Sequence, residues 1–227
     1  MTRTQTTFVD LSRLISQKKE ASLIIRLMMA CNDISLANQC LAQYKKDQPP
    51  IRKHVQKGAL MYFVRLQCGH LKEAMGLLEK LCADKYLFKR VDNCSQEAQL
   101  SFKRLIDCFK NGPNYNKYRD YILKVRHKTV FHYDGKLVEK ALADRANRTE
   151  AKISKITRGD HISLWRFDLS DDIVDSLICR QLWKIPREEN LREKADEISD
   201  FGSNLCVSFL DFCGEYIFSY IKEKATI

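Results

Sequence analysis

The segment "VRHKTVFHYDG", Val125–Gly135, places an arginine, two histidines, a lysine, a tyrosine and an aspartate within eleven residues. Arg126 and His132 suit phosphate chemistry. A guanidinium stabilises negative charge that builds up on a phosphate, and an imidazole with an ordinary pKa of about 6.5 transfers a proton near neutral pH. A second explanation involves no reaction: an ordinary basic surface, in which Asp134 caps the following helix.

The positive charge of the chain is concentrated around this segment. The 227 residues include 39 Lys and Arg against 29 Asp and Glu, a net charge of +10, and residues 114–158 hold +7 of it. Such a concentration favours a polyanion as partner, because each phosphate that a cation neutralises releases condensed counterions. The alternative is a solvated basic face that keeps the protein soluble.

Cysteine usage and hydropathy exclude several classes of protein. The nine cysteines are odd in number and scattered, with no Cys-x-x-Cys pair, which argues against a disulfide framework and a zinc ribbon. We expect them to be reduced, in a cytoplasmic protein. The apolar stretches at 22–31 and 205–220 contain charged residues and are shorter than the ~20 apolar residues of a membrane span, so we expect no membrane partner.

Apolar residues recur three and four positions apart along most of the chain, which is the period of helices with one buried face. We therefore predict an all-α fold, a bundle of long antiparallel helices in a single domain over residues 1–227. The exception is the sequence around Arg158-Gly159-Asp160, where β-branched and polar residues alternate on both sides of a glycine. This pattern predicts a small β-hairpin insertion at about 151–167.

The predicted helices have recognisable starts and ends. Two long helices are expected at about 18–46 and 51–84. Further on, the expected elements are a helix capped by Ser95, a helix from Tyr115 with a buried stripe of Tyr118, Ile122 and Val125, a piece from Asp134 to Arg145, a short helix capped by Ser170 or Asp171, and a last long helix opened by Pro186.

The spacing Arg-x5-His between Arg126 and His132 resembles the Arg-x(4–6)-His motif of the HEPN superfamily, all-helical domains found in metal-independent ribonucleases of toxin–antitoxin and phage-defence systems. A polar residue tends to follow the arginine in that family, and here it is His127. The resemblance implies a metal-independent endoribonuclease without a cofactor, in which Arg126 binds the phosphate and His132 transfers a proton. It also implies supporting roles for His127, Tyr133 and Asp134, and RNA-backbone contacts for Lys124 and Lys128.

The geometry of a helix adds an expectation about assembly. On a straight helix, Arg126 and His132 would be about 9 Å apart along the axis and 120° apart around it. One helix could hardly bring both onto a single phosphorus, so we predict a homodimer with a shared cleft, as HEPN ribonucleases are understood to form. The toxin systems of that superfamily make an antitoxin protein a further expected partner. We predict no metal site, because His127 and His132 would share a metal only if the helix broke between them.

A second arginine–histidine pair, Arg65 and His70 in "RLQCGH", has a similar spacing. Its neighbours are mostly apolar, so we expect this pair to support packing, or to support the catalytic residues from behind, rather than to act in catalysis itself. A non-catalytic HEPN-like module that binds nucleic acid or protein remains the alternative to the ribonuclease.

Overall fold

The computed structural model of the chain describes residues 6–16, 18–46, 50–130, 134–147, 156–158, 160, 167–187 and 189–225. Throughout this part of the chain the structure is mostly helical and contains no β-strand, which confirms the all-α class. The hairpin predicted at about 151–167 falls mostly outside the described residues. It stays a prediction, as does the antiparallel arrangement of the long helices.

Ten α-helices lie within the described ranges. In chain order they are α1 (Leu11–Ser16), α2 (Lys18–Lys45), α3 (Pro50–Ala83), α4 (Lys85–Lys89), α5 (Gln96–Ile106), α6 (Tyr115–Tyr118), α7 (Lys124–Thr129), α8 (Gly135–Ala146), α9 (Asp168–Ser176) and α10 (Leu191–Lys224). A 3₁₀ turn, Arg90–Asn93, follows α4. Wider π-helical turns, Arg119–Leu123 and Leu177–Leu182, join α6 to α7 and extend α9.

Most predicted helix limits are confirmed to within a residue. The long helices expected at about 18–46 and 51–84 are α2 and α3. The hydroxyl of Ser95 accepts a hydrogen bond from the Ala98 N–H at 3.3 Å and caps α5. Asp134 caps α8 by accepting from the Leu137 N–H at 3.2 Å.

Two predicted helix starts are wrong. α9 already begins at Asp168, so Ser170 and Asp171 lie within its first turns, where acidic residues interact favourably with the helix dipole. The last helix begins at Leu191 rather than Pro186. The stretch before it forms a loop. Arg180 Nη1 holds this loop by donating hydrogen bonds to the Ile185 carbonyl at 2.7 Å and to the Pro186 carbonyl at 2.5 Å.

The chain folds into two compact units that are interleaved in sequence. Unit 1 comprises Met1–Ser35, Glu73–Tyr115 and Asn204–Ile227, and unit 2 comprises Leu36–Lys72 and Asn116–Ser203. Each of the long helices α2, α3 and α10 begins in one unit and ends in the other. A single domain over residues 1–227 stays a prediction.

Unit 1 is built around aromatic side chains of α10. The ring of Phe212 lies 4.5 Å from that of Phe102 and 5.3 Å from that of Tyr216, between ring centroids, and all three are buried. The hydroxyl of Tyr216 donates a hydrogen bond to the Leu87 carbonyl at 2.9 Å, so the one buried polar atom of this cluster has a partner. These aromatic side chains of α10 therefore lie at the centre of this unit.

All nine cysteines are free thiols in the structure. Six of them are buried and behave as small apolar residues. None of the described helices combines the length and the hydrophobicity that crossing a membrane requires.

Candidate functional site

The candidate site lies on α7, in unit 2. The predicted buried stripe behind it is confirmed: Tyr118, Ile122 and Val125 are 5%, 3% and 0% exposed. Thr129 continues this stripe at 3%. Between the buried residues Val125 and Thr129, the tripeptide 126–128 projects outward, with His127 and Lys128 exposed and Arg126 partly exposed.

A π-helical turn sets the position of α7. The Lys124 N–H bonds to the Arg119 carbonyl, five residues back, so one extra residue is accommodated in the turn. The Tyr121 carbonyl in this turn accepts a hydrogen bond from the indole Nε1 of Trp183 at 3.1 Å. Gly202 of α10 lies close by, since a Cβ there would be 3.2 Å from Ile122 Cδ1. The turn is therefore packed on two sides before α7 begins.

The helix ends earlier than the sequence suggested. α7 stops at Thr129, and Val130 has an extended backbone with φ −89° and ψ 113°. The straight helix assumed between Arg126 and His132 is therefore wrong. Two consecutive β-branched residues disfavour helix continuation, and the Thr129 hydroxyl donates a hydrogen bond back to the Val125 carbonyl at 2.7 Å.

This early end also bears on the metal prediction. The helix does break between His127 and His132, which removes the geometric objection to a shared metal. His132 and Tyr133 lie outside the described residues, however. Within the described ranges no three His, Cys, Asp or Glu side chains group closely enough to hold a metal ion.

The side chains of Arg126 and His127 are in contact. Arg126 Nη1 lies 3.3 Å from His127 Nδ1. Because a guanidinium only donates, His127 Nδ1 accepts, and the ring is then the neutral Nε2–H tautomer. Its pKa is lowered from the ordinary value by partial desolvation of the ring, and further by the positive charges of Arg126, Lys72 and Lys128. His127 is therefore an uncharged imidazole at neutral pH, beside a cation.

The two lysines predicted to bind RNA already have carboxylate partners. Lys128 Nζ lies 2.8 Å from Asp134 Oδ2, and Lys124 Nζ lies 2.9 Å from Asp120 Oδ1. Hydrogen bonds from Arg119 and then Lys124 lower the pKa of Asp120 to about 2. Ion pairs exposed to water contribute little stability, so a phosphate can compete for either lysine.

The structure thus brings four of the predicted residues together. Arg126, His127 and Lys128 are consecutive on the outward side of α7, and Asp134 reaches Lys128 from the start of α8. Lys124 lies at the start of α7 and pairs with Asp120 in the π-helical turn.

The second arginine–histidine pair meets the same helix from α3. Arg65 Nη1 donates a hydrogen bond to the Thr129 carbonyl at 3.1 Å. Arg65 therefore serves the packing of α7, as its apolar neighbours suggested. His70 lies partly exposed on the same helix.

Two residues that act on the candidate site, Asp120 and Lys72, were not predicted from the sequence. Asp120 stands four residues before Lys124, a spacing at which opposite charges pair on a helix, so this contact had a local signal. Lys72 acts on His127 from another helix, and nothing in the local sequence indicates it.

Comparisons of the chain with protein-family models, with curated proteins and with solved structures found no match. The resemblance to the HEPN superfamily therefore depends on the spacing of Arg126 and His132 and on its helical setting.

Proposed function

We propose that the protein is a metal-independent endoribonuclease of the HEPN type, acting on RNA in the cytoplasm as a toxin or phage-defence effector. Arg126 binds the scissile phosphate and His132 transfers a proton. The observation that carries the proposal is the contact between Arg126 and His127 on an outward face of α7 that also presents Lys128.

The chemistry needs few groups. Cleavage of RNA without a metal requires removal of the proton from the 2′-hydroxyl, attack of that oxygen on phosphorus, and protonation of the departing 5′-oxygen. His132 performs one of the proton transfers. The guanidinium of Arg126 stabilises the negative charge on the phosphorane through several donors at once. Tyr133 and Asp134 are supporting residues in this proposal.

His127 has a specific part in this scheme. Its Nδ1 accepts from Arg126 Nη1 and so orients the guanidinium. Its Nε2–H remains a donor that can reach a phosphate oxygen. Since the imidazole is neutral at pH 7, it does not add a charge that would repel the arginine.

We further propose that the active form is a homodimer. One chain offers one Arg126 and one His132, and a two-fold axis beside α7 would place two of each around a single cleft. An antitoxin would silence the enzyme by covering the same basic face.

The second candidate is an RNA-binding module without catalysis. It is favoured by the pairing of Lys124 and Lys128 with Asp120 and Asp134, since exchange of a carboxylate for a phosphate needs no acid or base.

One experiment separates the two. Labelled RNA is incubated with the protein in excess chelator, and products are examined for 2′,3′-cyclic phosphate ends. We expect cleavage by the natural protein and a loss of about 100-fold or more in His132→Ala and Arg126→Ala. Arg104→Ala is the matched control, because Arg104 is also an arginine in the last turn of a helix, exposed on α5.

The outcomes are distinct. Intact RNA across varied substrates, or full activity of both variants, contradicts the ribonuclease. RNA that is bound but uncut, with an affinity that falls steeply with salt and is indifferent to His132→Ala, supports the binding module instead.

A further inference from the structure

The Arg65–His70 segment of α3 lies against the C-terminal end of α7. Arg65 Nη1 donates to the carbonyl oxygen of Thr129, the last residue of that helix. Carbonyls in the last turn of a helix lack intrahelical partners, and this end of the helix dipole is negative. An arginine there satisfies the carbonyl and matches its charge.

Gly69 provides a second contact at the same place. It stands four residues after Arg65, on the same face of α3. A Cβ at Gly69 would lie 3.3 Å from Val130 Cγ1, which is tighter than ordinary van der Waals contact. Val130 directly follows α7 and is buried. The missing side chain at Gly69 therefore lets Val130 pack close to the backbone of α3.

These two contacts fix the end of α7 from its buried side. The outward tripeptide 126–128 begins only three residues before Thr129, so a rotation or tilt of this end moves Arg126 and His127 directly. α7 forms the last six residues of a helical run that continues from α6 through the π-helical turn. The turn holds its N-terminal end, and Arg65 and Gly69 contact its C-terminal end.

We propose that Arg65 and Gly69 are positioning residues, which set the orientation of α7 and thereby the placement of Arg126 and His127. Their relevance to RNA cleavage rests on the proposed function. The positioning itself is measurable without RNA, through the pKa of His127. Among the described residues, the charged groups that act on this imidazole are Lys72 on α3 and Arg126 and Lys128 on α7.

The test is an NMR pH titration of His127, assigned by the loss of its signal in His127→Gln. In the natural protein we expect His127 to titrate below its ordinary value. In Arg65→Met and Gly69→Ala the pKa should rise toward about 6.5, because the ring moves away from Lys72 and becomes better solvated. Gly69→Ala alters no charge, so a rise there reports displacement rather than a lost cation.

Two controls isolate the role of position. Arg65→Lys keeps a donor and a charge and should retain the lowered pKa. Gly76→Ala is the matched glycine control, because Gly76 is in the same helix and a Cβ there would have nothing within 4 Å. It should leave the titration of His127 unchanged.

RNA cleavage gives the second readout. Arg65→Met and Gly69→Ala should lose about 10- to 100-fold in rate, as small displacements of reacting groups do, while Gly76→Ala keeps the natural rate. If the natural protein leaves RNA intact, the proposed function fails and the titration still decides the positioning. An unchanged His127 pKa in folded Gly69→Ala and Arg65→Met overturns the positioning, whatever the RNA result.

Discussion

At the scale of single residues, the candidate site is a set of cations, and the side chains in contact with them affect how readily they bind a phosphate. Arg126 is in contact with His127, and Lys128 is paired with Asp134. The residue types and their spacing were readable from sequence because they lie within ten positions of one another. The pairing of Lys128 with Asp134 was not, since it depends on where α7 stops and on the direction in which the next helix begins.

Asp134 has two tasks that a substitution can separate. One oxygen caps α8 through the Leu137 N–H, and the other binds Lys128. Asn caps helices as well as Asp does, so Asp134→Asn keeps the cap and releases the lysine. We expect this variant to bind RNA about two- to fivefold more tightly at low salt, the range given by the strength of an exposed ion pair. Fluorescence anisotropy with labelled RNA measures this change.

The control for this prediction is Asp134→Ala. It releases Lys128 too but removes the cap, so its free energy of unfolding should fall by about 1 kcal/mol while that of Asp134→Asn stays close to the natural value. Equal RNA affinity of all three proteins would show that Lys128 does not contact RNA.

At the scale of elements, the sequence predicted correctly those helix starts that depend on a capping side chain. Ser95 and Asp134 cap the helices that they were expected to cap. The failures have two kinds of cause. The loop before α10 is held by hydrogen bonds from Arg180 to carbonyls five and six residues further on, a contact that no helix-start signal reveals. The end of α7 follows from the β-branched pair Thr129-Val130 and from Arg65, which lies 64 positions before Thr129 in the chain, and no local pattern carries this second contact.

Helix α10 offers a prediction about close packing. A Cβ on Gly202 would meet Ile122 Cδ1 at 3.2 Å, in the tightly packed π-helical turn, whereas a Cβ on Gly214 would meet nothing within 4 Å. Gly214→Ala should therefore raise the free energy of unfolding by about 0.5–1 kcal/mol, through helix propensity alone. Gly202→Ala should lower it by about 1 kcal/mol, because buried Ile122 has to shift.

Chemical denaturation of both variants measures this difference. The two substitutions are the same chemical change in the same helix, so helix propensity cancels between them. Equal free energies of unfolding for Gly202→Ala and Gly214→Ala would mean that Ile122 moves away from the added methyl group without loss of stability.

At the scale of the whole molecule, the spacing of apolar residues predicted the all-α class, but nothing in the sequence predicted the arrangement of the chain. Alternation at helical spacing is a local property, and it identified the long helices α2, α3 and α10. The division into two units depends on contacts between distant segments, and no linker or change of composition marks it.

Assembly is tested at this scale. If two copies share one cleft, sedimentation velocity should give a homodimer at the concentrations at which RNA is cut, and the specific activity should fall as the protein is diluted. A chain that sediments as a monomer while it is fully active would contradict the shared cleft, although Arg126 could still bind phosphate on its own.

The interleaving of the two units limits how the outward surface of α7 can be transferred to another protein. Of the four sequence boundaries between them, those at 35/36, 72/73 and 203/204 fall inside the long helices α2, α3 and α10, and the fourth, at 115/116, falls at the start of α6. No truncation can therefore deliver the half that bears α7 without severing long helices. Transferring the chemistry of this surface to another scaffold would mean grafting individual side chains, because there is no detachable module to transplant.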